Sequence, residues 1–123
     1  MEEKIKLLIV ENEGIIAHYL KLELELEGFD VVGFVASGEE AVKLAAFHLP
    51  DIVLMDIKLA GKIDGITAAD IISENLQIPI IFMTGYSRFE ITQRAKELNP
   101  LVFFDKPVSV EVIKSLILDY FKT

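Results

Sequence analysis

The strongest constraint on the fold is an alternation. Five short apolar runs, Lys6 to Val10, Asp30 to Val35, Ile52 to Met55, Ile80 to Met83 and Leu101 to Phe104, are separated by longer stretches with helical period. Most of these runs are apolar at successive positions, as expected for strands buried on both faces of a parallel sheet. A fivefold strand-then-helix order requires crossover connections, which are right-handed in parallel sheets, so the chain is expected to form a doubly wound α/β sheet with helices on both faces. With 123 residues and no internal repeat or Ser/Gly-rich linker, it reads as one domain spanning 1–123.

The helical stretches carry their own start and stop signals. The first has Ile15, Tyr19, Leu22 and Leu26 on one stripe and Ile16, Leu20 and Leu24 on its neighbour, giving a broad apolar face that ends at Gly28. Ser37 with Glu40 and Ser87 with Glu90 have capping-box spacing, which places the starts of the second and fourth helices. The third helix is expected to begin at Asp64. The fifth begins at Ser109 and repeats Val112, Ile113, Leu116, Ile117 and Tyr120 at helical spacing. The simplest strand order for this pattern is the flavodoxin-like 2-1-3-4-5.

Composition removes several function classes. A formal charge of −8 repels phosphate backbones and anionic lipid surfaces, which argues against direct nucleic-acid or membrane binding. There is no cysteine for a disulfide or a thiolate metal site. No apolar run approaches the roughly 18 residues of a membrane helix, and the acidic start is unlike a signal peptide, so a cytoplasmic location is the default expectation. No Walker sequence or dinucleotide glycine fingerprint occurs at any strand-to-helix turn, which counts against a nucleotide-binding enzyme.

In open parallel sheets the site lies beyond the carboxyl ends of the strands. Those ends hold Glu11 and Asn12, Asp56, Thr84 and Lys106. Oxygen ligands as sparse as Glu11, Asn12 and Asp56 suit Mg²⁺, which keeps several waters and a phosphate oxygen, better than a closed Ca²⁺ cage. Asp56 is positioned to be nucleophile and metal ligand together, with Lys106 and the Thr84 hydroxyl reaching phosphoryl oxygens. Asn12 also reads as the N-cap of the first helix. His18 and His48 read as helix-surface residues and not as phosphohistidine candidates.

Leu7-Leu8-Ile9-Val10 followed by acidic residues, Asp51 through Asp56, Asp64-Gly65, Pro79 through Thr84, and Lys106-Pro107 together resemble the receiver domains of two-component response regulators, chemotaxis regulators among them. The resemblance implies a signalling phosphoacceptor, not an enzyme acting on other substrates. Asp56 would take a phosphoryl group from a phosphohistidine of a histidine kinase or phosphotransfer protein. It also implies Mg²⁺ held by Glu11, Asp56 and the Lys58 backbone carbonyl. A switch would couple Thr84 to Phe103, three residues before Lys106, and change the face formed by the fourth helix, fifth strand and fifth helix, where a downstream protein would bind. Dimerisation is left open.

Two departures matter. Asn12 stands where the family commonly has a carboxylate ligand, a loss worth up to ~4 kcal/mol for a charge ~4 Å away at an effective dielectric of ~20, before solvation offsets it. The loop after Asp56 lacks the usual Met-Pro pair and is one residue longer than the commonest form, while Lys58 and Tyr86 hold positions that tune water access to an aspartyl phosphate in such domains. The expectation is a stand-alone receiver, although a receiver cut from a longer protein would end at nearly the same place. The rival reading, prompted by Asn12, is a phosphorylation-independent interaction module on the same fold.

Overall fold

The computed structural model describes residues 3–85 and 89–122. Its elements run β1 (Lys6–Val10), α1 (Gly14–Leu26), β2 (Asp30–Val35), α2 (Gly38–His48), β3 (Ile52–Asp56), α3 (Gly65–Leu76), β4 (Ile80–Thr84), α4 (Phe89–Lys96), β5 (Val102–Asp105) and α5 (Val110–Phe121). The five strands form one parallel sheet in the order β2-β1-β3-β4-β5, as the alternation predicts. β3 and β4 each continue one residue beyond their apolar runs, to Asp56 and Thr84, and β5 is shifted one residue later. Ladder hydrogen bonds join backbone groups, so a polar side chain does not end a strand.

The period of two along each strand divides the core into two layers. Leu7, Ile9, Ile52, Leu54, Ile81 and Met83 face the layer that contains Leu20 and Leu24 of α1 and Ile113 and Ile117 of α5. Leu8, Val10, Val53, Met55 and Phe82 face the layer that contains Ala41 and Ala45 of α2, Ile66 and Ile72 of α3 and Ala95 of α4.

Helix ends follow local chemistry. Ser37 Oγ accepts the Glu40 N–H at 3.2 Å and donates to Glu40 Oε1 at 3.0 Å, Asp64 Oδ1 accepts the Thr67 N–H at 2.8 Å, and Ser109 Oγ accepts the Val112 N–H at 3.4 Å. After α1, Gly28 takes φ +97°, its N–H bonds Glu25 O and the Phe29 N–H bonds Leu24 O, with Phe29 and Leu24 both buried. This is a Schellman closure that glycine makes at no steric cost. The box expected from Ser87 and Glu90 rests on Ser87, which lies outside the described residues, as does Tyr86.

Two expectations for α1 fail. Its N-cap is Glu13, without a side-chain cap bond, and not Asn12. Asn12 sits one residue upstream, too early to serve the first turn. Of the two apolar stripes, only that of Ile16, Leu20 and Leu24 meets the sheet, whereas Ile15, Tyr19, Leu22 and Leu26 are 89%, 54%, 46% and 80% exposed. Both stripes satisfy the helical period, but Ala17, Leu20 and Leu24 form the buried line, and its neighbour is turned to solvent. Among the described residues, no helix is long and apolar enough to cross a membrane.

Candidate functional site

Three polar side chains are buried among the described residues: Glu11, Asp56 and Thr84, all at strand carboxyl ends. β1, β3 and β4 are adjacent, so the three converge although they are far apart in sequence. Register aligns them. Asp56 pairs with Met83 and Thr84 with Asp105, while the Lys106 N–H bonds Thr84 O at 2.8 Å, which fixes the lysine beside the end of β4. The Lys106–Pro107 peptide is cis.

Lys106 Nζ lies 2.5 Å from Glu11 Oε1, 2.9 Å from Asp56 Oδ2 and 3.9 Å from Glu13 Oε1. One ammonium therefore serves a set of carboxylates in a largely dry place. Burial pushes the Asp56 carboxyl up to about 6, with hydrogen bonding to Glu11 adding to the rise and Lys106 opposing it. Burial alone would lower Lys106, but its hydrogen bonds with Glu11 and Asp56 outweigh this and raise it above the ordinary lysine value. The site thus holds more acid than Lys106 satisfies.

A cleft of about 240 Å³ opens at this point, lined by Asn12, Glu13, Asp56, Lys58, Thr84, Gly85 and Lys106. Beside it, a more apolar cavity of about 410 Å³ runs between α1 and the segment after β5, past Ile16, Tyr19, Leu20, Met83 and Val108. Of the expected residues, Asn12, Asp56, Lys58, Thr84 and Lys106 line the cleft, while Glu11 lines the neighbouring cavity and joins them through the shared Lys106 ammonium. Glu13 was not anticipated. It lines both cavities, and its N–H bonds Glu11 Oε2 at 3.1 Å. The only signal for it in the sequence is the continuation of the acidic stretch past Asn12.

The donors suit a hard cation. Asp56, Glu13, the Asn12 amide and backbone carbonyls offer oxygen atoms, and among the described residues no group of three or more His, Cys, Asp or Glu is placed to hold a metal ion by itself. A divalent ion would have to keep much of its water, which is how Mg²⁺ binds. Phe103 lies apart from the cleft lining, partly buried against the α2, α3 and α4 layer with its ring centroid 6.2 Å from that of Phe82. His18 is exposed and His48 partly so, each beside an aromatic ring and neither lining the cleft.

The sequence profile of the response regulator receiver domain matches residues 7–118. The chain belongs to this family. It is 37% identical over 105 residues to the transcriptional regulatory protein PdtaR of Mycobacterium tuberculosis, covering 85% of this chain and 51% of PdtaR. The receiver thus spans about half the length of that relative. It is 33% identical over 123 residues to sporulation initiation phosphotransferase F of Bacillus subtilis, covering 98% of this chain and 94% of the relative. Among solved structures, the receiver domain of a modulated diguanylate cyclase from Desulfovibrio desulfuricans superposes with a TM-score of 0.89 at 39% identity, over 94% of this chain and 91% of that one. A CheX-CheY-BeF₃-Mg²⁺ complex from Borrelia burgdorferi gives 0.85 at 25% identity, over 97% and 90%. The receiver is a two-component signalling domain with the doubly wound order found above.

Proposed function

We propose that the receiver accepts a phosphoryl group on Asp56 from a phosphohistidine of a histidine kinase or phosphotransfer protein in the cytoplasm, and signals through a conformational change. The observation that carries this reading is the buried Asp56 carboxylate at the mouth of the cleft, 2.9 Å from Lys106 Nζ, with the ammonium shared by Glu11. An Asp56 oxygen attacks phosphorus, an O–P bond forms and the P–N bond breaks, leaving the electron pair on the imidazole nitrogen. Glu11, Glu13, Asn12, Asp56 and the Lys58 carbonyl are the groups that would hold Mg²⁺, an ion present in the related Borrelia complex. When bound, Mg²⁺ supplies the positive charge that lets a phosphate approach two carboxylates. Lys106 and the Thr84 hydroxyl pair with phosphoryl oxygens, and Phe103 follows Thr84, which alters the face of α4, β5 and α5 where a downstream protein binds.

Incubation with acetyl phosphate and Mg²⁺ is expected to add one phosphoryl group by intact mass, with the adduct absent in Asp56→Asn. An unmodified wild-type chain would instead favour the phosphorylation-independent module.

Asn12 lines the cleft but is exposed, so solvent screening cuts the effect of the charge lost there well below its unscreened value, and Glu13 supplies a second carboxylate nearby. Asn12→Asp should tighten Mg²⁺ by about tenfold, the equivalent of ~1.4 kcal/mol. Equal affinities in a calorimetric titration of the two chains would remove Asn12 from the metal site.

A further inference from the structure

The β3–α3 loop, residues 57–64, carries the Lys58 carbonyl and contains the residue by which it exceeds the usual length. It is tied down in the middle by α2. Glu39, in the first turn of α2, accepts the Lys62 N–H on Oε2 at 2.8 Å. Its Oε1 is buried against Gly61, where an added Cβ would sit 2.5 Å from that oxygen, and Gly61 has φ +87°. Only a glycine both adopts this backbone and leaves room for the carboxylate. The Ala60 N–H bonds Ala36 O at 3.0 Å, and Ser37 and Ala60 form a parallel bridge. On either side of this tie, Leu59 and Ile63 pack against the core layer below α2 and α3. The Lys62 N–H is foremost among the backbone donors that hold the Glu39 carboxyl below the usual carboxylate range.

We propose that Glu39 is a positioning residue for the cation: by holding the Gly61–Lys62 backbone, it fixes where the Lys58 carbonyl stands at the cleft. The inference rests on the reading of Lys58 as a backbone ligand. Glu39 itself touches neither the cation nor the phosphoryl group. Its carboxylate takes up the extra loop residue as a turn stitched to α2, so the loop keeps one conformation without a proline. A ligand held by such a stitch contributes affinity by preorganisation, because the loop has already given up its freedom before the ion arrives.

The experiment is calorimetric Mg²⁺ titration of the full chain, with melting curves to establish that each variant is folded. Glu39→Ala and Glu39→Leu both delete the acceptor, and either one, folded, suffices. Each is expected to weaken Mg²⁺ by about tenfold, while Glu39→Gln, whose amide oxygen still accepts the Lys62 N–H, stays close to wild type. Unchanged affinity in the Ala and Leu variants would overturn the positioning role, as would a Gln variant as weak as they are, since that result would make the effect one of charge. Asp56→Asn separates the two readings. If wild-type binding does not depend on Asp56, the cation reading of the cleft fails. If it depends on Asp56 but not on Glu39, only the positioning role fails.

Discussion

Asp56→Asn should unfold at a higher temperature than the wild-type chain at pH 7.5 in the absence of Mg²⁺. The carboxyl titrates near 6 in the folded chain against an ordinary value of 3.8. The folded state therefore binds the proton more tightly than the unfolded state, and stability falls as pH rises through that interval. Above about pH 6 the full penalty is present, on the order of 3 kcal/mol at 1.36 kcal/mol per unit, and the side chain is only 7% exposed, so little is lost to solvent screening. Asparagine keeps the shape and removes the charge. The expected gain is roughly 10 °C in melting temperature at pH 7.5, fading as pH is lowered through 6 towards 4. Scanning calorimetry at pH 7.5 and pH 4.5 checks it, and a wild-type chain at least as stable as the variant at pH 7.5 would show that the acids are not crowded. The measurement does not depend on phosphorylation.

Gly65→Ala is expected to cost about 3–5 kcal/mol, near the top of the range for a single substitution. A Cβ at this position would stand 1.9 Å from Asp56 O and 2.8 Å from both Asp56 C and Ile57 Cα. These are backbone atoms, so nothing flexible can yield. Moving the helix start away would also stretch the 2.7 Å bond from the Gly65 N–H to Ile57 O, which closes the loop behind the proposed phosphoacceptor. Gly14, likewise the first residue of its helix, has nothing within 4 Å of an added Cβ and makes the control. Urea denaturation should separate the two alanine variants clearly, and equal midpoints would refute the steric argument.

The fold was legible because burial on both faces writes strands as continuous apolar runs, and helices between them leave few topologies. The gathering of Glu11, Asp56, Thr84 and Lys106 was legible for the same reason: each lies close to the end of such a run, and strand order does the rest. What escaped depends on contacts across the chain. Ile15 and Leu20 are equally apolar and equally periodic, yet the docking angle of α1 leaves the first in water and buries the second. The tie between Glu39 and Lys62 spans 23 residues and leaves no periodic trace. Asn12 misled in a simpler way, since the capping preference is right for its residue type and the helix starts one residue later.

β1, β3 and β4, which deliver the acids and the hydroxyl, are flanked by strands on both sides, whereas β5 has β4 alone as a neighbour and only four residues, none of them fully buried. The ammonium that pairs with the acids therefore follows directly on a short outer plank of the sheet. Charge balance in the cleft and the seating of that plank would then be linked, each biasing the other by the same coupling free energy. On the function proposed above, whatever draws the ammonium inward would tighten the rim of the sheet, and a protein gripping that rim would change how much negative charge the cleft tolerates.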